Sequence, residues 1–279
     1  MNVGIICDLS YDYSMCFQNY YYSVNNIFSS VKIINNINDI DDIDIIFIGN
    51  DHYKKHLDVW CQNSFIEKVN KLNIKMVVFT AETILSSCFP HNEVIQKKLE
   101  RFNNLYQYVI DINDMIKLNK PQMRGLVTKN VKGFFHNDKK IDGCVFIGKY
   151  KENEYVERRK ILDNINKFIP VTIIDRINNW HDYMNTMAKY RFVLSPISNG
   201  NFFALRFYEI LAVGSIPIHQ VLENTLSYYP IEAEFDDCIY FQNLMELKEK
   251  VLGCKLEKSH SEIWMESHIQ EILEKDKIL

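Results

Sequence analysis

The feature that most constrains this chain is a repeated alternation. Short, unbroken apolar runs rich in β-branched residues are separated by longer amphipathic stretches. Val3–Cys7, Val31–Ile34, Ile43–Gly49 and Ile74–Thr80 are four such runs. Continuous apolar runs of this length suit strands covered on both faces, as in a parallel sheet. Val59–Leu72, with Val59, Phe65, Ile66, Val69 and Leu72 at near-helical spacing, predicts a helix, and Glu93–Leu105 predicts another. Tyr108–Asp111 predicts a further strand.

Residues 119–130 are polar, contain Pro121 and Gly125, and read as a connection. The alternation then restarts. Strands are predicted at Cys144–Gly148, Val171–Ile174, Phe192–Leu194, Ile216–Ile218 and Cys238–Phe241. Helices are predicted at Glu154–Phe168, Trp180–Tyr190, Phe203–Val213, Leu244–Leu252 and Ser261–Lys275. The fold class is therefore α/β, with two Rossmann-like domains, each built on a parallel sheet. Two domains also suit a length of 279 residues. The boundary is drawn within a linker near 119–140, giving residues 1–125 and 126–279. Ligands of such folds sit beyond the carboxyl ends of the strands, so a central cleft faced by both sheets is the expected site.

Composition removes several function classes. A formal net charge of -4 and a pI of about 6.1 imply no broad basic field for duplex nucleic acid. The seven cysteines are scattered, odd in number and free of C-x-x-C pairs, against both a disulfide framework and a cysteine zinc site. Met1–Cys7 lacks the basic and long apolar regions of a signal peptide, and no apolar run is long enough to span a bilayer. The chain is expected to be cytoplasmic. G-x-G-x-x-G is absent, which disfavours a Rossmann dehydrogenase.

The segment richest in chemistry is Tyr190–Gln220. A buried strand, Phe192–Leu194, leads into a loop holding Ser195, Pro196, Asn199, Gly200 and Asn201. A helix follows from about Phe203 to Gly214, a good residue just past a helix end. Pro217 is expected to mark the edge or end of the next strand. A small-residue loop opening a helix after a strand presents backbone N–H groups and a favourable dipole to an anion. Arg206 lies near that helix start and Glu209 one turn on, on the same face. A cation there opposes the dipole unless an anion is shared between them.

The ordered set Ser195-Pro196, Asn199-Gly200, Arg206-x-x-Glu209 and Gly214-x-Ile216-Pro217 resembles the donor motif of GT-B glycosyltransferases. It is similar to exostosin-like enzymes, the CgeB-like group and the phage DNA glucosyltransferases. The resemblance implies a metal-independent glycosyltransferase that needs no cofactor beyond a nucleotide-diphosphate sugar as donor substrate. Residues 126–279 would form the donor-binding domain and residues 1–125 the acceptor side. The last helix would cross back to brace the first domain. Arg206 would hold the diphosphate with the backbone near Ser195, Asn199, Gly200 and Asn201, and Glu209 would bind ribose hydroxyls. Phe146-Ile147-Gly148-Lys149 ends the first strand of the second domain. There Gly148 would allow close approach, and Lys149 or Arg158 would add charge.

A direct attack by an acceptor hydroxyl needs a base, and Asp8 and Glu82, each following a first-domain strand, are the candidates. Either residue type also caps helices and turns. Other candidates have plainer readings. Asp42-Ile43-Asp44 matches a metal-holding D-x-D, yet suits a polar turn before a strand. His52 and His56 lack the Glu of a zinc motif. Tyr11, Tyr13, Phe17, Tyr20, Tyr21 and Tyr22 are available to stack on an acceptor or pack on the sheet. The acceptor is expected to be a glycan in preference to DNA. The alternatives are a phage-type DNA-base glycosyltransferase, with Lys54, Lys55, Lys129 and Lys132 in a basic groove, and a non-catalytic nucleotide-sugar-binding protein.

Overall fold

The structure is a computed structural model that describes residues 1–7, 16–50, 59–80, 92–109, 119–121, 127–132, 135, 137, 139–150, 156–195, 205–221, 237–260 and 264–278. The chain forms two compact units. Met1–Lys129 with Trp264–Leu279 make the first, past the boundary drawn from sequence at residue 125, and Asn130–Ile263 make the second.

The first unit carries β1 (Val3–Ile6), α1 (Cys16–Ile27), β2 (Val31–Ile33), β3 (Ile45–Asn50), α2 (Asn63–Lys71), β4 (Lys75–Thr80), α3 (Asn92–Leu99) and β5 (Leu105–Val109). Its five parallel strands run in the order β2-β1-β3-β4-β5. One face packs Ile46, Ile48, Met76 and Val78 against Trp60, Phe65, Ile66 and Val69 on and beside α2. The helix predicted over Glu93–Leu105 stops at Leu99, and Leu105 instead begins β5. Asparagines make the break. Asn103 N donates to Asn70 Oδ1 at 2.9 Å, and Asn104 Nδ2 donates to Asn73 Oδ1 at 2.8 Å, fixing a turn where the apolar spacing alone would continue a helix.

The second unit carries β6 (Ile141–Ile147), α4 (Val156–Ile165), β7 (Val171–Ile174), α5 (Trp180–Ala188), β8 (Tyr190–Ser195), α6 (Leu205–Ala212), β9 (Ile216–Gln220), β10 (Ile239–Phe241) and α7 (Leu244–Gly253). Its sheet, again wholly parallel, runs β10-β9-β8-β6-β7. Pro217 corrects an expectation: β9 is an inner strand. β10 is short and pairs only from Ile218 onward, so Pro217 sits where β9 has one neighbour and its missing N–H removes no bond to β10. Gly214 follows α6 with φ 67, as the helix stop requires, and Ser215 N closes onto Ile210 O at 3.1 Å.

The last helix, α8 (Met265–Lys275), belongs to the first unit and packs on α1. Its anchor is Glu266, only 2% exposed. That carboxylate accepts from Asn26 Nδ2 at 2.8 Å, Thr128 Oγ1 at 2.6 Å and the Lys129 backbone N–H at 3.0 Å. Beyond α8, Lys75 Nζ donates to Ile278 O at 2.5 Å, and the Tyr108 hydroxyl donates to Asp276. Among the described residues, no helix is long and apolar enough to cross a membrane.

Candidate donor-binding site

In the second unit the chain first lays down β6, adds β7 on one flank, then crosses to the other flank for β8. The carboxyl ends of β6 and β8 therefore form a topological switch point, where doubly wound sheets leave a crevice. Gly148 directly follows β6 and Arg206 is the second residue of α6, the helix following β8. The structure brings these two together. Gly148 has φ 145, a conformation that disfavours any side chain. A Cβ on it would stand 3.5 and 3.6 Å from the two terminal nitrogens of Arg206 and 3.3 Å from Phe146 Cζ. The fully buried Phe146 ring lies 5.7 Å from the Arg206 guanidinium carbon and 5.3 Å from that of Arg158, within cation–π reach of both.

A buried polar chain holds Arg206 from the other side. Its Nε donates to the Tyr183 hydroxyl at 3.1 Å. Beside that hydroxyl lies the Glu209 carboxyl, which accepts from Trp180 Nε1 at 2.9 Å. Trp180 and Tyr183 come from α5, which packs beside α6. Glu209 is 4% exposed. Burial pushes its pKa up, against the opposing pull of the Trp180 bond, the Arg206 charge and the Tyr183 bond. Burial likewise raises the Tyr183 hydroxyl, which Arg206 opposes. Phe135 meets the Trp180 ring edge-on at 5.3 Å and closes the apolar surround.

The remaining predicted residues divide plainly. Arg158 Nη1 donates to Lys149 O at 2.5 Å, so this arginine braces the turn after β6, while the Lys149 side chain is exposed. Ser195 is buried, and its carbonyl and hydroxyl oxygens lie 3.0 and 3.3 Å from His219 Nδ1. His219 is pushed down to about 4 by burial, with the Ser195 contact opposing, and so is neutral near pH 7. Asn199, Gly200, Asn201, Asp8, Glu82, His52, His56, Tyr11, Tyr13, Lys54 and Lys55 lie outside the described residues. Asp44 accepts from Asn2 N at 2.6 Å and Asp42 pairs with Lys32 at 3.5 Å, so both serve the start of β3. Tyr20 packs on Phe79 of the sheet at 4.9 Å. Among the described residues, no group of three or more His, Cys, Asp or Glu side chains gathers as a metal site would require.

Sequence spacing marked Phe146 only as part of the strand before Gly148 and held no sign of Trp180, Tyr183 or His219. Arg206 and Glu209 are related by a helical turn, but nothing linear ties residue 183 to residue 206. The available signal was compositional: Trp and Tyr three apart at the start of a short helix, each with a polar tip that needs a partner once buried.

No protein-family model matches the chain, and no curated protein matches it. Solved structures do. One is an alpha-glucosyltransferase in complex with UDP and a 13-mer DNA containing an HMU base, with TM-score 0.59 and 12% identity over 98% of this chain and 95% of that one. Another is an alpha-glucosyltransferase in complex with UDP-glucose and DNA containing an abasic site, with TM-score 0.56 and 12% identity over 91% of this chain and 90% of that one. At such identity the likeness is one of fold. Two α/β units, each on a five-stranded parallel sheet, give this chain the fold of the GT-B glycosyltransferases.

Proposed function

We propose that the protein transfers a sugar from a nucleoside-diphosphate sugar to an acceptor hydroxyl. The observation that carries this reading is the pairing of Gly148 and Arg206 at the β6–β8 switch point. A bare glycine backbone and a guanidinium side by side form a cradle for a diphosphate. As the bond to the sugar breaks, charge builds on the leaving diphosphate, and Arg206 stabilises it where it forms. Arg158, through Lys149 O, keeps the Gly148 turn in place. UDP is the favoured nucleotide, because both similar glucosyltransferases hold UDP or UDP-glucose. Proton removal from the acceptor is assigned to a first-unit carboxylate, Asp8 or Glu82, and the reaction needs no metal.

A thermal-shift screen of nucleotides and nucleotide sugars tests the donor. Ligand at ~100 times its Kd stabilises by about 2.7 kcal/mol. UDP and one UDP-sugar are expected to raise the Tm of the native protein and not of Arg206→Ala. No shift with any nucleotide, in a folded protein, would reject the reading. Binding without transfer over a broad acceptor panel would reduce it to a nucleotide-sugar-binding protein.

A second reading concerns the acceptor alone. The two glucosyltransferases above, which match over nearly their whole lengths, were both solved with DNA, and this supports a hydroxyl on a DNA base as acceptor in place of a glycan. DNA affinity that falls steeply with salt supports this reading, and its absence favours a glycan.

A further inference from the structure

We propose that Tyr183 is a positioning residue for Arg206, and that Glu209 and Trp180 hold Tyr183 to that task. This rests on the donor-site reading above. Arginine has five donors in a planar fork, and tethering Nε fixes the plane of that fork. Here Nε is the tethered atom, bonded to Tyr183 Oη at 3.1 Å, and the two terminal nitrogens lie beside the Gly148 turn. A tyrosine hydroxyl that accepts from Arg206 must point its own proton elsewhere. Glu209 is the carboxyl beside it, and its Oε1 is in turn fixed by Trp180 Nε1 at 2.9 Å. The polar tips thus run from a buried indole, past Glu209 and Tyr183, to the guanidinium. The Phe146 ring bounds the guanidinium from another side at 5.7 Å.

This arrangement gives Glu209 a task other than the ribose contact that the resemblance implies. Its carboxyl is nearly inaccessible, and its Oε1 is taken by Trp180 of α5. In a low-dielectric site, a guanidinium already held in place reorganises little when charge develops, so the arrangement acts on the diphosphate through Arg206. Removing the Tyr183 hydroxyl should cost phosphate recognition specifically, because that hydroxyl acts through Arg206.

The test uses Tyr183→Phe, which keeps the ring and deletes one oxygen, alongside Arg206→Ala and the double variant. Calorimetric titrations with UDP and with UMP are compared. Tyr183→Phe is expected to weaken UDP about tenfold and UMP far less. The double variant is expected to bind UDP no more weakly than Arg206→Ala alone, since both changes remove one function. Equal weakening of UMP and UDP, or losses that add in the double variant, would overturn the proposal. A second readout needs no ligand. The Arg206 Nε–H resonance, assigned by its loss in Arg206→Lys, is expected to exchange slowly in the native protein and fast in Tyr183→Phe. An unchanged exchange rate would overturn the proposal even if UDP binds. A protein that binds no nucleotide, yet shows the exchange difference, would sink the donor-site reading and leave the Tyr183–Arg206 tether standing.

Discussion

The two units share one topology and differ in what it carries. Each sheet starts from an inner strand, adds the second strand on one flank and the next three on the other, β2-β1-β3-β4-β5 against β7-β6-β8-β9-β10. Each therefore has a switch point beside its first strand. In the second unit that point holds Gly148 and Arg206, braced by Arg158, Phe146 and the α5 side chains. In the first unit the chain leaves β1 through Cys7, a buried thiol, with Asp8 next in sequence. The arginines follow the same division: Arg158, Arg159, Arg176, Arg191 and Arg206 against Arg101 and Arg124. Topology supplies a crevice twice, and among the described residues it is the second that carries an arginine beside a glycine turn.

The units also differ in how they are locked. The first is a composite, with α8 returning from the far end of the sequence to place Glu266 among Asn26, Thr128 and Lys129. The second is one continuous stretch, tied across its sheet by single cations. Lys140 Nζ reaches Ala188 O, Val213 O and Ser215 Oγ at 2.9, 3.0 and 3.2 Å, and Arg191 reaches Asp142, Cys254 O and Leu256 O.

The largest expected effect is acid sensitivity in the second unit. His219 is depressed from 6.5 to about 4, so between those values the unfolded chain binds a proton that the folded chain does not. Stability therefore falls as pH drops through that window, by up to about 3 kcal/mol, and changes no further from this source below it. His219→Asn should flatten that part of a pH series of denaturant melts. Next, Glu266→Ala takes the acceptor from the buried Thr128 hydroxyl and from the Asn26 and Lys129 donors in the first unit and should cost about 1–3 kcal/mol, with UDP affinity unchanged. A matching loss of UDP affinity would break the separation of lock and site. Smallest is Gly148→Ala, which forces a Cβ into φ 145 beside Arg206. It should cost about 1–2 kcal/mol of stability and weaken UDP about tenfold, read by melts and calorimetry together.

Much of this fold was legible in sequence because parallel strands buried on both faces are continuous apolar runs, and β1, β4, β7 and β8 fell within a residue or two of their expected places. Where the reading slipped, polar side chains decided. Asn103 and Asn104 ended α3 early by bonding Asn70 and Asn73, residues that the sequence separates by some thirty positions. Arg206 and Glu209 were legible because a helix puts residues three apart on one face. Tyr183, Trp180 and Phe146 were not, since their relation to Arg206 comes from α5 packing on α6 and from β6 lying beside β8.

The central claim is that the second unit's switch point binds a nucleoside diphosphate through Arg206. Calorimetric titration of UDP into the native protein and into Arg206→Ala tests it most directly. The account predicts a single site in the native protein and a loss of about a hundredfold in the variant, the scale of a charge-assisted contact to phosphate, with both proteins melting alike. Equal affinity in the two proteins would contradict it.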